Sequence, residues 1–129
     1  MAQSTGQKYR ILVVEDEAPL ANMLKDKLVS EGFEARTAGD GVEGLELALS
    51  WQPHLVLLDV VMPKMDGIEL CNRLKEVDPG IKVCFLTASN EVSREKLSKV
   101  KHCELDKDLF LEMPLPLNRI VEEINKIIS

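Results

Sequence analysis

Three apolar runs in this chain end in residues that could do chemistry. Tyr9 to Val14 leads into Glu15-Asp16-Glu17, Leu55 to Leu58 into Asp59, and Ile81 to Leu86 into Thr87-Ala88-Ser89. The run before Asp59 is continuous in Leu and Val, which fits a strand buried on both faces of a parallel sheet. A carboxylate at the end of such a run is costly unless it is paired or metal-bound, which favours a functional reading. Beyond it come Met62-Pro63 and Asp66-Gly67, both turn signals, and then a helical pattern from Ile68. In an open α/β sheet the groups just past the carboxyl ends of the strands are the ones that meet ligand. Chemistry is therefore expected at Asp59. Glu15-Asp16-Glu17 alone also reads as acids well placed at a helix N-terminus; beside Asp59 the functional reading is the stronger.

The bulk numbers exclude several classes. At 129 residues there is room for one domain with a proper core. A net charge of -6 opposes direct binding of nucleic acid, which calls for clustered Lys and Arg. No apolar run approaches the roughly 18 residues of a membrane span, and the first residues do not form a signal peptide. Cys71, Cys84 and Cys103 have no metal-type spacing. Their odd number, without a secretory signal, predicts reduced thiols in a cytoplasmic protein, with Cys84 a small core residue.

The elements that must position these groups follow in order. Residues 1–7 read as a disordered tail and residues 8–129 as a single domain. After the first strand, Pro19 suits a first helical turn. Leu20, Met23, Leu24, Leu28 and Val29 then recur at helical spacing up to Gly32. Phe33 to Ala38 predicts a second strand, and Asp40 an N-cap for a helix carrying Val42, Leu45, Leu47, Ala48 and Leu49, closed by Trp51 and Pro53. Ile68, Leu70, Cys71, Leu74 and Val77 mark a third helix, ended by Asp78-Pro79-Gly80. Ile81 to Leu86 is a fourth strand, Val92 to Val100 a fourth helix with a weak apolar face, and Leu109 to Leu111 a short fifth strand. Pro116 opens a final helix with Leu117, Ile120, Val121, Ile124, Ile127 and Ile128 on one face. This alternation predicts an α/β fold: a parallel sheet with helices on both faces and right-handed crossovers.

Ile11-Leu12-Val13-Val14-Glu15-Asp16-Glu17, Leu58-Asp59-Val60-Val61-Met62-Pro63-Lys64-Met65-Asp66-Gly67 and Phe85-Leu86-Thr87-Ala88-Ser89, in this order, resemble the response-regulator receiver domain of two-component signalling. The likeness runs from about Tyr9 to the end. It implies a flavodoxin-like (βα)5 doubly wound sheet of strand order 2-1-3-4-5. It further implies Asp59 as phosphoacceptor, with Glu15, Asp16, Asp59 and the backbone carbonyl of Val61 holding Mg2+ or Mn2+. Thr87 matches the switch hydroxyl, Ala88 the small residue giving the phosphoryl group access, and Phe110 the aromatic switch position. The chemistry is coherent: phosphoryl transfer crowds negative charge at the reacting oxygens, and magnesium prefers a few carboxylates plus waters.

One position departs from the pattern. Receivers carry a lysine before the proline of the last strand-helix loop, and alignment of Phe110-Leu111-Glu112-Met113-Pro114 puts Met113 there. A thioether cannot donate a charged hydrogen bond. A shift of the alignment to Lys107 would abandon Pro114, and Lys64 reads better as a solvated turn lysine than as a substitute cation. Three carboxylates without that fixed cation repel by about 4 kcal/mol per close pair at an effective dielectric near 20. At least one acid should then have a raised pKa in the metal-free protein. The resemblance also implies a cis bond before Pro114, at modest cost for an X–Pro pair.

Other residues have plainer readings. Met62 and Met65 read as packing, His54 as a surface or hydrogen-bonded residue, and Trp51 as lying at the far end from the site; His102 is assigned nothing. The leading function is a receiver, not an enzyme beyond its own phosphorylation and dephosphorylation. It takes a phosphoryl group from a histidine kinase or phosphotransfer protein and signals through the face of the fourth helix, fifth strand and fifth helix. With no output domain in the chain, that face is expected to act on a separate protein or to form a homodimer, with no membrane and no direct contact with nucleic acid. The rival, supported by Met113, is a degenerate receiver serving as a phosphorylation-independent interaction module. An aspartyl phosphohydrolase would want an acid where Val61 stands, and a flavin site would want a Ser/Thr/Gly-rich loop after the first strand.

Overall fold

A computed structural model of the chain describes residues 8–59, 67–88, 109–113 and 115–128. The apolar runs form strands β1 (Arg10–Val14), β2 (Glu34–Ala38), β3 (Leu55–Asp59), β4 (Lys82–Ala88) and β5 (Leu109–Met113). The helices are α1 (Ala18–Ser30), α2 (Gly41–Trp51), α3 (Gly67–Val77) and α4 (Leu117–Ile128). All neighbouring strands pair in parallel, in the order β2-β1-β3-β4-β5. The expected α/β architecture and strand order are both present. The helix expected over Val92 to Val100, together with Val61, Met62, Lys64, Met65, His102, Cys103, Lys107 and Pro114, lies outside the described residues, as do residues 1–7.

Strand alternation splits the core into two layers. Leu12, Val14, Val56, Leu58, Val83 and Phe85 face one way and pack with Ala48, Leu70 and Leu74 of α2 and α3. Ile11, Val13, Leu55, Leu57, Cys84 and Leu86 face the other way, against Leu24 and Leu28 of α1 and Ile120 and Ile124 of α4. Burying each such side chain is worth roughly 1.5–3 kcal/mol, so the doubly wound sheet is held from both sides. Edge strand β2 is different: Glu34 and Arg36 are exposed, and such charges discourage pairing with a further strand.

The helix stops are built as their residue types suggest. Pro19 stands in the first turn of α1, where no backbone donor is lost. At the other end Gly32 takes φ +98°, its N–H bonds the Val29 carbonyl, and the Phe33 N–H bonds the Leu28 carbonyl. Leu28 and Phe33 then pack in the same layer, a common helix ending that satisfies two orphan carbonyls. Asp40 caps α2 by accepting from the Glu43 N–H at 2.8 Å, while Glu43 accepts from the Gly39 N–H at 2.7 Å.

The faces of α1 and α2 differ from the expectation drawn from large aliphatic residues. Met23 is 53% exposed and Val29 50% exposed, while Ala21, Leu24 and Leu28 are buried. On α2 the buried residues are Gly41, Gly44 and Ala48, with Val42 and Leu49 turned out. Small residues mark the inward stripe because these helices lie close to the sheet. A Cβ added to Gly44 would stand 3.0 Å from Val14 Cγ2 and 3.3 Å from Leu70 Cδ2.

At the amino-terminal edge of the sheet His54 accepts from the Arg10 N–H through Nδ1 at 2.9 Å and stacks on Tyr9 at 4.6 Å. Its hydrogen-bonded reading is met. Burial and the Arg10 charge lower its pKa, which keeps the ring a neutral acceptor. Trp51 ends α2 under the Arg36 guanidinium, 4.7 Å from the ring centroid. The expectation of three reduced thiols needs correction. Cys84 is free and buried, but Cys71 is disulfide-bonded. Sequence spacing carries no information about which thiols a fold brings together.

Because Val14 and Leu70 are fully buried, Gly44→Val should overpack this contact. We expect it to lower unfolding stability by about 2–3 kcal/mol, read as a reduced urea midpoint with an unchanged slope.

Candidate functional site

Pairing of β1 with β3 assembles the site. Val14 lies opposite Leu58 in the parallel register, so the next residues on the two strands, Glu15 and Asp59, leave the sheet side by side. The Glu15 N–H extends the ladder to the Ala38 carbonyl at 3.0 Å, fixing the backbone where the carboxylate begins. Glu15, Asp16 and Asp59 each offer an oxygen, and these oxygens lie within 4.8 Å of one another. Glu15 is 3% exposed, Asp59 is half-buried and Asp16 is exposed.

Confinement of this kind has an electrostatic cost. Burial pushes the Glu15 carboxyl up to about 7, with further upward contributions from the neighbouring Asp59 and Asp16 carboxylates. The Glu17 N–H, donating to Glu15 Oε2 at 3.1 Å, works in the opposite direction. The raised acid expected from the sequence is therefore Glu15. The way it is held, by a backbone donor two residues ahead, could not be read from residue types.

This donor set fits a divalent cation. It supplies only oxygen, the ligand hard cations prefer, and the exposed side at Asp16 leaves room for the waters that magnesium retains. A divalent ion would also offset the burial and the neighbouring carboxylates that together raise Glu15.

Of the remaining expected positions, Thr87, Ala88 and Met113 reach the same edge of the sheet. Asp59 is opposite Leu86 on β4, so Thr87 and Ala88 continue just beyond it. On β5, Leu111, Glu112 and Met113 pair with Leu86, Thr87 and Ala88, and Phe110 with Phe85. β4 and β5 both run two residues past their expected ends at Leu86 and Leu111. Thr87, Ala88 and Met113 thus belong to strands, because mutual pairing carries the ladder further than the apolar runs do. The side chains of Thr87, Ala88, Phe110 and Met113 lie outside what is described, and Val61 lies outside altogether.

Comparison with known proteins agrees with this geometry. Residues 11–125 match the response regulator receiver domain family, and the chain belongs to that family. It is 34% identical over 119 residues to the alkaline phosphatase synthesis transcriptional regulatory protein PhoP of Bacillus subtilis, covering 92% of this chain and 48% of that one. It is 43% identical over 84 residues to the DNA-binding response regulator MtrA of Mycobacterium leprae, covering 65% of this chain and 37% of the relative. The chain thus spans half or less of the length of these two relatives. Among solved structures, a CheY-like receiver domain protein from Methanospirillum hungatei superposes with a TM-score of 0.80 at 25% identity, covering 93% of both chains.

The Glu15 shift fixes a pH dependence. A carboxyl with a folded pKa near 7 against an ordinary 4.5 favours the folded state while it is protonated. That contribution is complete below pH 4.5 and lost as pH rises through 7. In metal-free protein, Glu15→Gln should therefore gain stability relative to the parent between pH 4.5 and 7, by up to about 3 kcal/mol. Urea midpoints across this range in chelator provide the measurement; parallel pH profiles for the two proteins would contradict the assignment.

Proposed function

We propose that the chain accepts a phosphoryl group on Asp59 from the phosphohistidine of a histidine kinase or phosphotransfer protein. The observation that carries this reading is the convergence of Glu15, Asp16 and Asp59 at the carboxyl ends of β1 and β3. Asp59 ends a strand whose four preceding residues are fully buried, so its backbone is rigidly placed while its half-buried carboxylate stays open to a donor. In the transfer an Asp59 oxygen attacks phosphorus, the N–P bond breaks as the O–P bond forms, and the histidine ring leaves with the electron pair. Glu15, Asp16, Asp59 and the Val61 carbonyl would hold Mg2+ or Mn2+, which supplies positive charge for the crowded phosphoryl oxygens when bound.

The other roles follow from the family pattern. Thr87 is the hydroxyl that turns toward the phosphoryl group, Ala88 leaves it space, and Phe110 responds with Thr87. Phosphorylation then remodels the face that includes β5 and α4 toward a downstream protein or a second copy of the chain. Its own phosphorylation and dephosphorylation are the only reactions the chain promotes, and the cytoplasm, where kinases carry phosphohistidine, is its compartment. A second reading, a phosphorylation-independent interaction module, draws on Met113 in place of the usual lysine.

Two measurements test this proposal. Incubation with magnesium and a small acyl-phosphate donor should add the mass of one phosphoryl group, and Asp59→Asn should abolish the addition. Absence of labelling by the donor and by any phosphohistidine protein would favour the interaction module. Separately, millimolar magnesium should raise the melting temperature by several degrees, as expected for an ion at about 100 times its dissociation constant. Asp16→Asn should remove most of that gain, and a melting temperature indifferent to magnesium would rule out the metal site.

A further inference from the structure

The register of the last strand bears on the pocket's affinity for its cation. β5 ends at Met113, which pairs with Ala88, two residues beyond the pairing of Leu86 with Leu111. Leu86 in turn lies opposite Asp59. Two strand spacings and two residue rises put the Met113 backbone about 12 Å from that of Asp59. An extended lysine and an aspartate side chain together bridge such a gap. A lysine at this register position would be long enough to bring an ammonium group to the carboxylates, where it would compete with a divalent ion for the same oxygens and repel it directly. Methionine does neither.

We infer that Met113 sets the divalent-cation affinity of this pocket, making it a tighter cation site than the same acids would form beside a lysine. The inference rests on the metal-binding part of the proposed function. It concerns affinity and needs no phosphoryl transfer. Even at near-bulk dielectric, a unit charge about 6 Å from a divalent ion changes its binding roughly tenfold. Burial, as at Glu15 (3% exposed), would enlarge that effect.

The experiment is calorimetric titration of the chain with Mg2+ alone, and separately with Mn2+, for the parent, Met113→Lys, Met113→Arg and Met113→Gln. Melting temperature with and without metal is followed in parallel, and far-UV circular dichroism checks that each variant folds. Both cationic variants should bind at least about tenfold more weakly and show a smaller thermal gain from metal. Met113→Gln, similar in length and uncharged, should bind like the parent. Two cationic variants keep the test decisive if one fails to fold. Equal affinity in all four proteins would overturn the inference and leave the metal site standing. No binding by the parent at high millimolar metal would overturn both.

Discussion

The repulsion among three carboxylates held at the ends of adjacent strands is the constraint that organises this molecule. Left to itself it would separate Glu15, Asp16 and Asp59. What resists it is the pairing of β1 with β3, two strands whose residues Ile11–Val14 and Leu55–Leu58 are fully buried. Hydrophobic burial on both faces of the sheet thus supports an unfavourable electrostatic arrangement at one edge. Burial first, and the neighbouring Asp59 and Asp16 carboxylates after it, raise the Glu15 carboxyl, the kind of perturbation that marks a site able to gain from a cation.

Much of this was legible in the sequence because continuous apolar runs ending in acid leave few alternatives. A continuous apolar run fits a central strand of a parallel sheet, and its terminal carboxylate then stands at the carboxyl edge. The strand order came from resemblance, since alternation of strands and helices alone permits several windings. Details set by packing distance were less legible. Large aliphatics such as Met23 and Leu49 drew the predicted helix faces toward themselves, yet Ala21, Gly44 and Ala48 lie inward. Hydrophobicity ranks residues by what they gain from burial; it does not record how near a helix approaches. The ends of β4 and β5 were also underestimated, because a ladder between two strands continues through Thr87 and Glu112 where apolar character has already stopped. The disulfide at Cys71 had no linear signal at all.

The two edges of the sheet have opposite characters. At the carboxyl edge, charged groups are brought close and held. At the amino edge, polar groups are satisfied locally: His54 accepts from Arg10, and the Arg10 guanidinium donates to the Gln52 carbonyl through Nε at 3.1 Å and Nη2 at 2.7 Å. Gln52 holds a left-handed conformation at φ 55° as the last cap of α2. These contacts seal strand beginnings and helix ends, and among the described residues no comparable group of acids lies at this edge. Among the described residues, like charge is thus gathered at the edge where the backbone is held by the central strands.

The alternation of β1 between two core layers ties folding fidelity to site assembly. A slip of one residue against β3 would move Leu12 and Val14 into the layer of Ile11 and Val13, exchanging both cores at once. The same slip would carry Glu15 out of line with Asp59. Misregistered chains therefore lose their packing and their acidic cluster together. A population that binds a divalent ion stoichiometrically has, by that fact, been sorted for the native pairing of its central strands.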